Sequence, residues 1–166
     1  RAFAQRRWGA PRDPRLATTV AGIAFPNPVG LGAGYDKSAE GVALLSRMGF
    51  GFLEIGSVSR YPSAGNPDRP RVFRLPADES VIVNYGVPND GAGVVARRIA
   101  LADSPVPLGV NIVETNTGRA AETNDVIAEI ASAAAMFARL APFLVISAEC
   151  ANAPGVHPIA RGIEER

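Results

Sequence analysis

Phe25-Pro26-Asn27-Pro28-Val29-Gly30-Leu31-Gly32-Ala33-Gly34-Tyr35-Asp36-Lys37 holds a turn, a short apolar run and a glycine-rich turn that ends on a cation. The prolines flanking Asn27 fix φ and interrupt whatever pattern precedes them. Val29 to Ala33 is apolar and bounded by Gly, which predicts a buried strand rather than an alternating, half-exposed one. The small residues that follow would let a flat ligand approach the backbone, with Lys37 beside it as a fixed cation. A glycine-rich turn ahead of a helix, with Lys37 on the surface, accounts for the same residues equally well.

The same unit recurs outward along the chain. Phe52 to Val58, Leu108 to Val113 and Phe143 to Ile146 are further short apolar runs. Helical patterns separate them. Ser38 to Met48 carries Val42, Leu45 and Met48 on one face, with Gly49 placed as a C-terminal cap. Asp90 is a good N-cap for a segment reaching Leu101 that presents Val95, Ile99 and Ala102. Asn124 to Leu140 presents Val126, Ile130, Ala133 and Phe137 and stops before Pro142. Strand alternating with helix predicts an α/β fold built from parallel βαβ units. Periodicity leaves open whether the sheet is doubly wound or part of a barrel. Val20 to Phe25 reads as a small hairpin arm. Arg60 to Ser80, with five prolines and glycines among its residues, reads as a long connection, and loops of that length are usually functional or disordered.

The bulk properties exclude several classes. The chain has 166 residues, 47% of them apolar, and a formal net charge of +1. That size fits one domain with its own core, and that charge gives no basic field for nucleic acid. Cys150 is the only cysteine and His157 the only histidine, so a disulfide framework and a Cys- or His-based metal site are not expected. No apolar run reaches the length of a membrane span. The basic opening segment (Arg1, Arg6, Arg7, Arg12, Arg15, with Phe3 and Trp8) is a solvated surface stretch or the stump of a membrane-surface helix. The chain begins with Arg1 rather than Met, as expected of a partial sequence.

In a barrel the chemistry gathers at the C-terminal ends of the strands. Those ends here are Gly32 to Lys37, Gly56-Ser57, Asn111 and Ser147 to Gly155. Asn111 interrupts an apolar strand, so its amide needs either a ligand or neighbouring backbone groups as partners. Cys150 is a small buried hydrophobe or, given its place after a strand, a reactive thiol. His157 stands on the following loop, too near Cys150 in sequence to pair with it.

The stretch Phe25 to Lys37, together with Gly49-Phe50-Gly51-Phe52-Leu53-Glu54-Ile55-Gly56-Ser57-Val58, resembles dihydroorotate dehydrogenases. Gly65-Asn66-Pro67-Asp68-Arg69-Pro70-Arg71-Val72-Phe73-Arg74-Leu75-Pro76 and Asp13-Pro14-Arg15-Leu16 are similar to the quinone-linked class of that family. The resemblance implies a (β/α)₈ TIM barrel of which residues 1–166 form the N-terminal half: a segment and hairpin arm over 1–28, then strands one to four with their helices over 29–166. It implies FMN, and oxidation of dihydroorotate to orotate in pyrimidine biosynthesis. The flavin contacts would be Ala33, Gly34, Tyr35, Asp36, Lys37, Ser57, Asn111 and Ser147. The substrate contacts would be Lys37, Asn84, Tyr85, Gly86, Val87 and Asn152. Cys150 would be the base that takes a proton from C5 while hydride leaves C6 for the flavin. Quinone as acceptor, a cytoplasmic location and peripheral association with the inner face of the membrane go with the quinone-linked class.

The sequence also departs from the family. Ser147, Glu149 and Ala151 replace an Asn, a Ser and a Pro in the strand-four loop. Val83 stands where the substrate loop has Asn, so Asn84 comes one place late. Val87-Pro88-Asn89 is closer to the soluble class, and Val113-Glu114 replaces Gly-Lys. A related flavin oxidoreductase acting on another small ring therefore stays open. So does a half-barrel without catalysis that serves in assembly. Four strands are half of what a barrel closes with, so pairing with a second half or a second copy is expected, with weak FMN binding by this segment alone.

Overall fold

The chain is described by a computed structural model over residues 13–119, 121–148, 150 and 153. Asp13 caps a short 3₁₀ turn, Pro14–Leu16, by accepting the Arg15 backbone N–H. The side-chain bond from Arg15 holds the Asp13 carboxyl below its usual range. Strands β1 (Thr18–Val20) and β2 (Ile23–Phe25) then form an antiparallel hairpin. Ala21 and Gly22 turn it with positive φ at both positions, 50° and 80°, the turn whose twist matches paired strands.

Four strands make the main sheet: β3 (Gly30–Leu31), β4 (Phe52–Val58), β7 (Leu108–Ile112) and β8 (Phe143–Ile146). They lie in the order β3-β4-β7-β8, all parallel, each beside its chain-order neighbour in this sheet. Between them come α1 (Val42–Leu45), α2 (Ala92–Leu101) and α3 (Thr123–Phe137). Period-two alternation sends Leu53, Ile55, Leu108, Val110 and Ile112 to the helix side. There they form one core with Val95 and Ile99 of α2 and Val126, Ile130, Ala133 and Phe137 of α3. Burying each of the larger side chains contributes about 1.5–3 kcal/mol.

The other face begins with a layer of alternating size. Gly30 pairs with Phe52, and Gly109 with Phe143. A Cβ on Gly30 would lie 2.2 Å from the Phe52 ring, and one on Gly109 2.0 Å from the Phe143 ring. Phe25 of the hairpin closes this layer, with ring centroids 5.5 Å from Phe52 and 6.3 Å from Phe143. The hairpin arm thus plugs the N-terminal end of the sheet.

Four expectations need adjusting. The helix expected over 38–48 is a single turn, because Asp36 takes the N–H groups of Ser38, Glu40 and Gly41 into a loop. Asp90 does not cap α2; the residue before the helix is Gly91, whose N–H goes to Asn89 Oδ1 at 2.9 Å. The connection over 60–80 is not structureless. Strands β5 (Val72–Leu75) and β6 (Ser80–Val83) form an antiparallel hairpin, pairing Phe73 with Ile82. Gly49 does not cap α1 either: the C-cap is Ser46, and Gly49, at φ 103°, closes the turn that follows.

Candidate functional site

At the C-terminal ends of the strands, polar groups replace the aromatic layer. The loop after β3 is stitched onto β4: the Gly34 N–H donates to Gly56 O at 2.6 Å, and the Gly56 N–H to Asp36 O at 3.0 Å. The β4–β7 register slips between Ile55 and Val58. Such a bulge re-aims side chains near a sheet's functional end. Gly56 sits there at φ 132°, where a Cβ would lie 2.5 Å from Asn111 O. No other residue fits.

Asn111 is 8% exposed inside β7. Its Nδ2 donates to Glu54 Oε1 at 2.8 Å, while its Oδ1 is buried without a partner. A carboxylate accepts only, so Glu54 dictates which end of the amide faces it. The orphaned acceptor costs about 1–3 kcal/mol until a donor arrives. After β3, across β4 from Asn111, a Cβ on Gly32 or Gly34 would meet nothing within 4 Å. An unmet acceptor and side-chain-free backbone at the same end of the sheet suit a flat ring that carries an N–H donor, as flavin does.

Lys37 donates to the Gly34 carbonyl and places its Nζ 5.1 Å from the centre of the Tyr85 ring. This joins the loop after β3 to the loop after β6. The Asp36 carboxylate is committed to three backbone N–H groups, so its side chain supports the loop. Tyr35 is 71% exposed and Ala33 half-buried. Ser57 is half-buried within β4. The Ser147 N–H extends the β7–β8 ladder to Ile112 O at 2.8 Å. Cys150 is half-buried, and its carbonyl accepts from Ala153 N–H at 3.0 Å. Asn152, with Glu149, Ala151 and His157, lies outside the described residues.

The loop at Asn84 to Val87 is held by residues the sequence reading did not single out. The Asn66 N–H donates to Tyr85 O at 3.0 Å. Asn116 Nδ2 donates to Gly86 O at 2.8 Å, and Asn89 Nδ2 to Val87 O at 3.1 Å. Val87 is buried at φ 57°, a left-handed conformation that costs a β-branched residue of order 1–3 kcal/mol and persists only where surroundings impose it. Asn89 also accepts from the Ser59 and Gly91 N–H groups and donates to Ser59 Oγ. Thr115 accepts from the Tyr61 N–H and donates to Glu129 of α3 at 2.6 Å. Asn89-x-Gly91 and Asn116-x-Gly118 carry a signal for such turns, since Asn side chains bond their own backbone two residues on.

A groove of about 620 Å³ lies at the hairpin, lined by Thr18, Thr19, Ala24, Phe25, Pro26, Pro105 and Pro107 among others. It opens at the plugged end of the sheet, away from Lys37 and Asn111. Among the described residues, no group of His, Cys, Asp or Glu could hold a metal ion, and no helix is long and apolar enough to cross a membrane.

Residues 15–164 match the family model of dihydroorotate dehydrogenase. The chain is 42% identical over 150 residues to a dihydroorotate dehydrogenase (quinone) of Mycolicibacterium smegmatis, covering 90% of this chain and 41% of that protein. It is also 42% identical over 154 residues to one of Mycobacterium leprae, covering 92% and 42%. The DHODH of Eimeria tenella in complex with ferulenol superposes with a TM-score of 0.75 at 32% identity, covering 93% of this chain and 43% of that one. The ligand-free form gives 0.76 at 33% identity, covering 93% and 45%. The chain therefore spans about two fifths of the length of the curated relatives it matches.

Proposed function

Because the chain belongs to the dihydroorotate dehydrogenase family, we propose that it supplies the flavin-facing half of a barrel that oxidises dihydroorotate to orotate in pyrimidine biosynthesis. The observation that carries this reading is the orphaned Asn111 Oδ1 on β7, with the open backbone of Gly32 and Gly34 after β3 at the same end of the sheet. Ala33 to Lys37, Ser57, Asn111 and Ser147 would hold the FMN ring. The flavin, when bound, supplies the hydride acceptor. Lys37 sets a cation beside ring and substrate and favours negative charge developing there. The loop Asn84-Tyr85-Gly86-Val87, with Asn152, holds the substrate, and Cys150 takes the proton from its ring carbon. Quinone is the onward acceptor, as the relatives' names suggest. Beside the substrate loop, the β5–β6 hairpin exposes Val72, Phe73, Val81 and Ile82, an apolar surface suited to it. The protein is cytoplasmic and meets quinone at the inner face of the membrane. The sheet edges at β3 and β8 are completed by a second segment or a second copy of the chain.

The test is an absorbance titration of the chain with FMN, before and after dihydroorotate. Saturable binding weaker than about 10 μM is expected, since barrels often bind phosphate with loops after strands seven and eight. For the same reason riboflavin should bind within about threefold of FMN. Dihydroorotate should bleach the bound flavin. No saturable flavin up to about 1 mM would sink the reading. Val83, in place of an amide, favours a second reading, a related oxidoreductase on another small ring. Bleaching by other dihydropyrimidines but not by dihydroorotate would decide for it.

A further inference from the structure

Three asparagine side chains form a hydrogen-bonded chain with one direction. The Gly118 N–H donates to Asn116 Oδ1 at 3.0 Å, and Asn116 Nδ2 donates to Asn66 Oδ1 at 2.9 Å. Asn66 Nδ2 in turn donates to Asn84 Oδ1 at 2.6 Å. An isolated amide can flip, but Asn116 cannot. A backbone N–H only donates and a backbone carbonyl only accepts, and Asn116 is held between the Gly118 N–H and Gly86 O. Its orientation fixes that of Asn66, which fixes that of Asn84, and aligned bonds of this kind polarise one another. Room for Asn66 exists because Gly86 has no side chain; a Cβ there would lie 2.1 Å from Asn66 Oδ1. With its Oδ1 engaged by Asn66, half-buried Asn84 has Nδ2 as the other end of its amide, next in sequence to Tyr85, over whose ring Lys37 sits.

We propose that Asn116 is a positioning residue which, through Asn66, fixes Asn84 as a hydrogen-bond donor, so that the site selects a ring bearing carboxylate or carbonyl oxygens. This rests on the dihydroorotate reading above and names how that substrate is recognised where Val83 offers no amide. The donor end and the Lys37 cation together favour an oxygen-rich, anionic ligand over an apolar or cationic one.

The test is orotate binding to the flavin-loaded protein, as wild type, Asn116→Asp, Asn84→Ala and the double variant. A carboxylate at position 116 could not donate to Asn66, so Asn116→Asp should weaken orotate about tenfold, or 1.4 kcal/mol, with flavin affinity unmoved. In the Asn84→Ala background the same change should cost less than twofold. Equal losses in both backgrounds, or none in either, overturn the proposal. Asn84→Asp, which replaces the donor at the half-exposed end, should lose at least as much; retained affinity overturns it too. In the flavin-free chain, the side-chain amide NMR signals of Asn66 and Asn84 should move together in Asn116→Asp, and an unmoved Asn84 refutes the relay. Flavin binding without orotate binding in the wild type removes the assigned substrate and this selection with it, whereas absent flavin binding strikes the earlier reading alone and leaves the NMR result to judge the relay.

Discussion

The two ends of the parallel sheet are built by opposite means. At the N-terminal end, Phe25, Phe52 and Phe143 fit against Gly30 and Gly109, and contact area does the holding. At the C-terminal end, Asn66, Asn84, Asn89 and Asn116 hold the loops with hydrogen bonds of fixed direction, and Asn111 ties β7 to Glu54 of β4. Apolar packing is non-directional and tolerates rearrangement. An amide network is directional, and each broken link leaves a buried group unmet. The aromatic end therefore provides cohesion, and the amide end provides a surface with specified donors and acceptors.

The largest effect should come from the amide end. Asn89→Ala deprives Ser59 and Gly91 of an acceptor and Val87 O of a donor, so urea unfolding should show a loss of about 3 kcal/mol. A loss under about 1 kcal/mol would mean that water replaces the amide and that the contrast is overstated. Next comes Gly109→Ala at the aromatic end. The Phe143 ring must move aside, costing about 1–3 kcal/mol, yet flavin affinity should not change. A tenfold fall in flavin affinity would break the separation of the two ends. Glu54→Leu should act the other way. Stability should shift by about 1 kcal/mol, but flavin should bind severalfold more weakly because Asn111 is no longer oriented. Glu54→Gln, which can still accept from Asn111 Nδ2, should restore binding.

The smallest effect is electrostatic. The folded Asp13 carboxyl is depressed by Arg15, so any stability it lends is present above its unfolded pKa and lost as pH falls through the folded one. That window lies below the ordinary carboxylate range. Arg15 is exposed and Asp13 lies half-buried at the surface, so Asp13→Asn should leave the thermal midpoint at about pH 6 unchanged, as for most surface ion pairs. A clear drop would show a third means of support that neither end uses.

Much of the fold was legible because burial writes itself into the chain. Phe52–Val58 and Phe143–Ile146 match their apolar runs end to end, and Val126, Ile130, Ala133 and Phe137 form the expected face of α3. The β5–β6 hairpin was not legible. All but two of its residues are exposed, so no alternation of apolar and polar marks its strands. Lys37, Asn111 and the Asn84 loop stood out as chemistry. Glu54, Asn66 and Asn116 did not, because each acts only through a partner distant in sequence, 57 residues from Glu54 to Asn111 and 50 from Asn66 to Asn116.

The sequence by itself determined the alternation of strand and helix, the family and the strand ends where chemistry gathers. These are local properties: apolar runs, glycines and ordered motifs. Tertiary structure alone decided which way each amide points. A side-chain amide carries donor and acceptor alike, and only the fixed backbone groups around it, Gly118 N–H and Gly86 O for Asn116, choose between them.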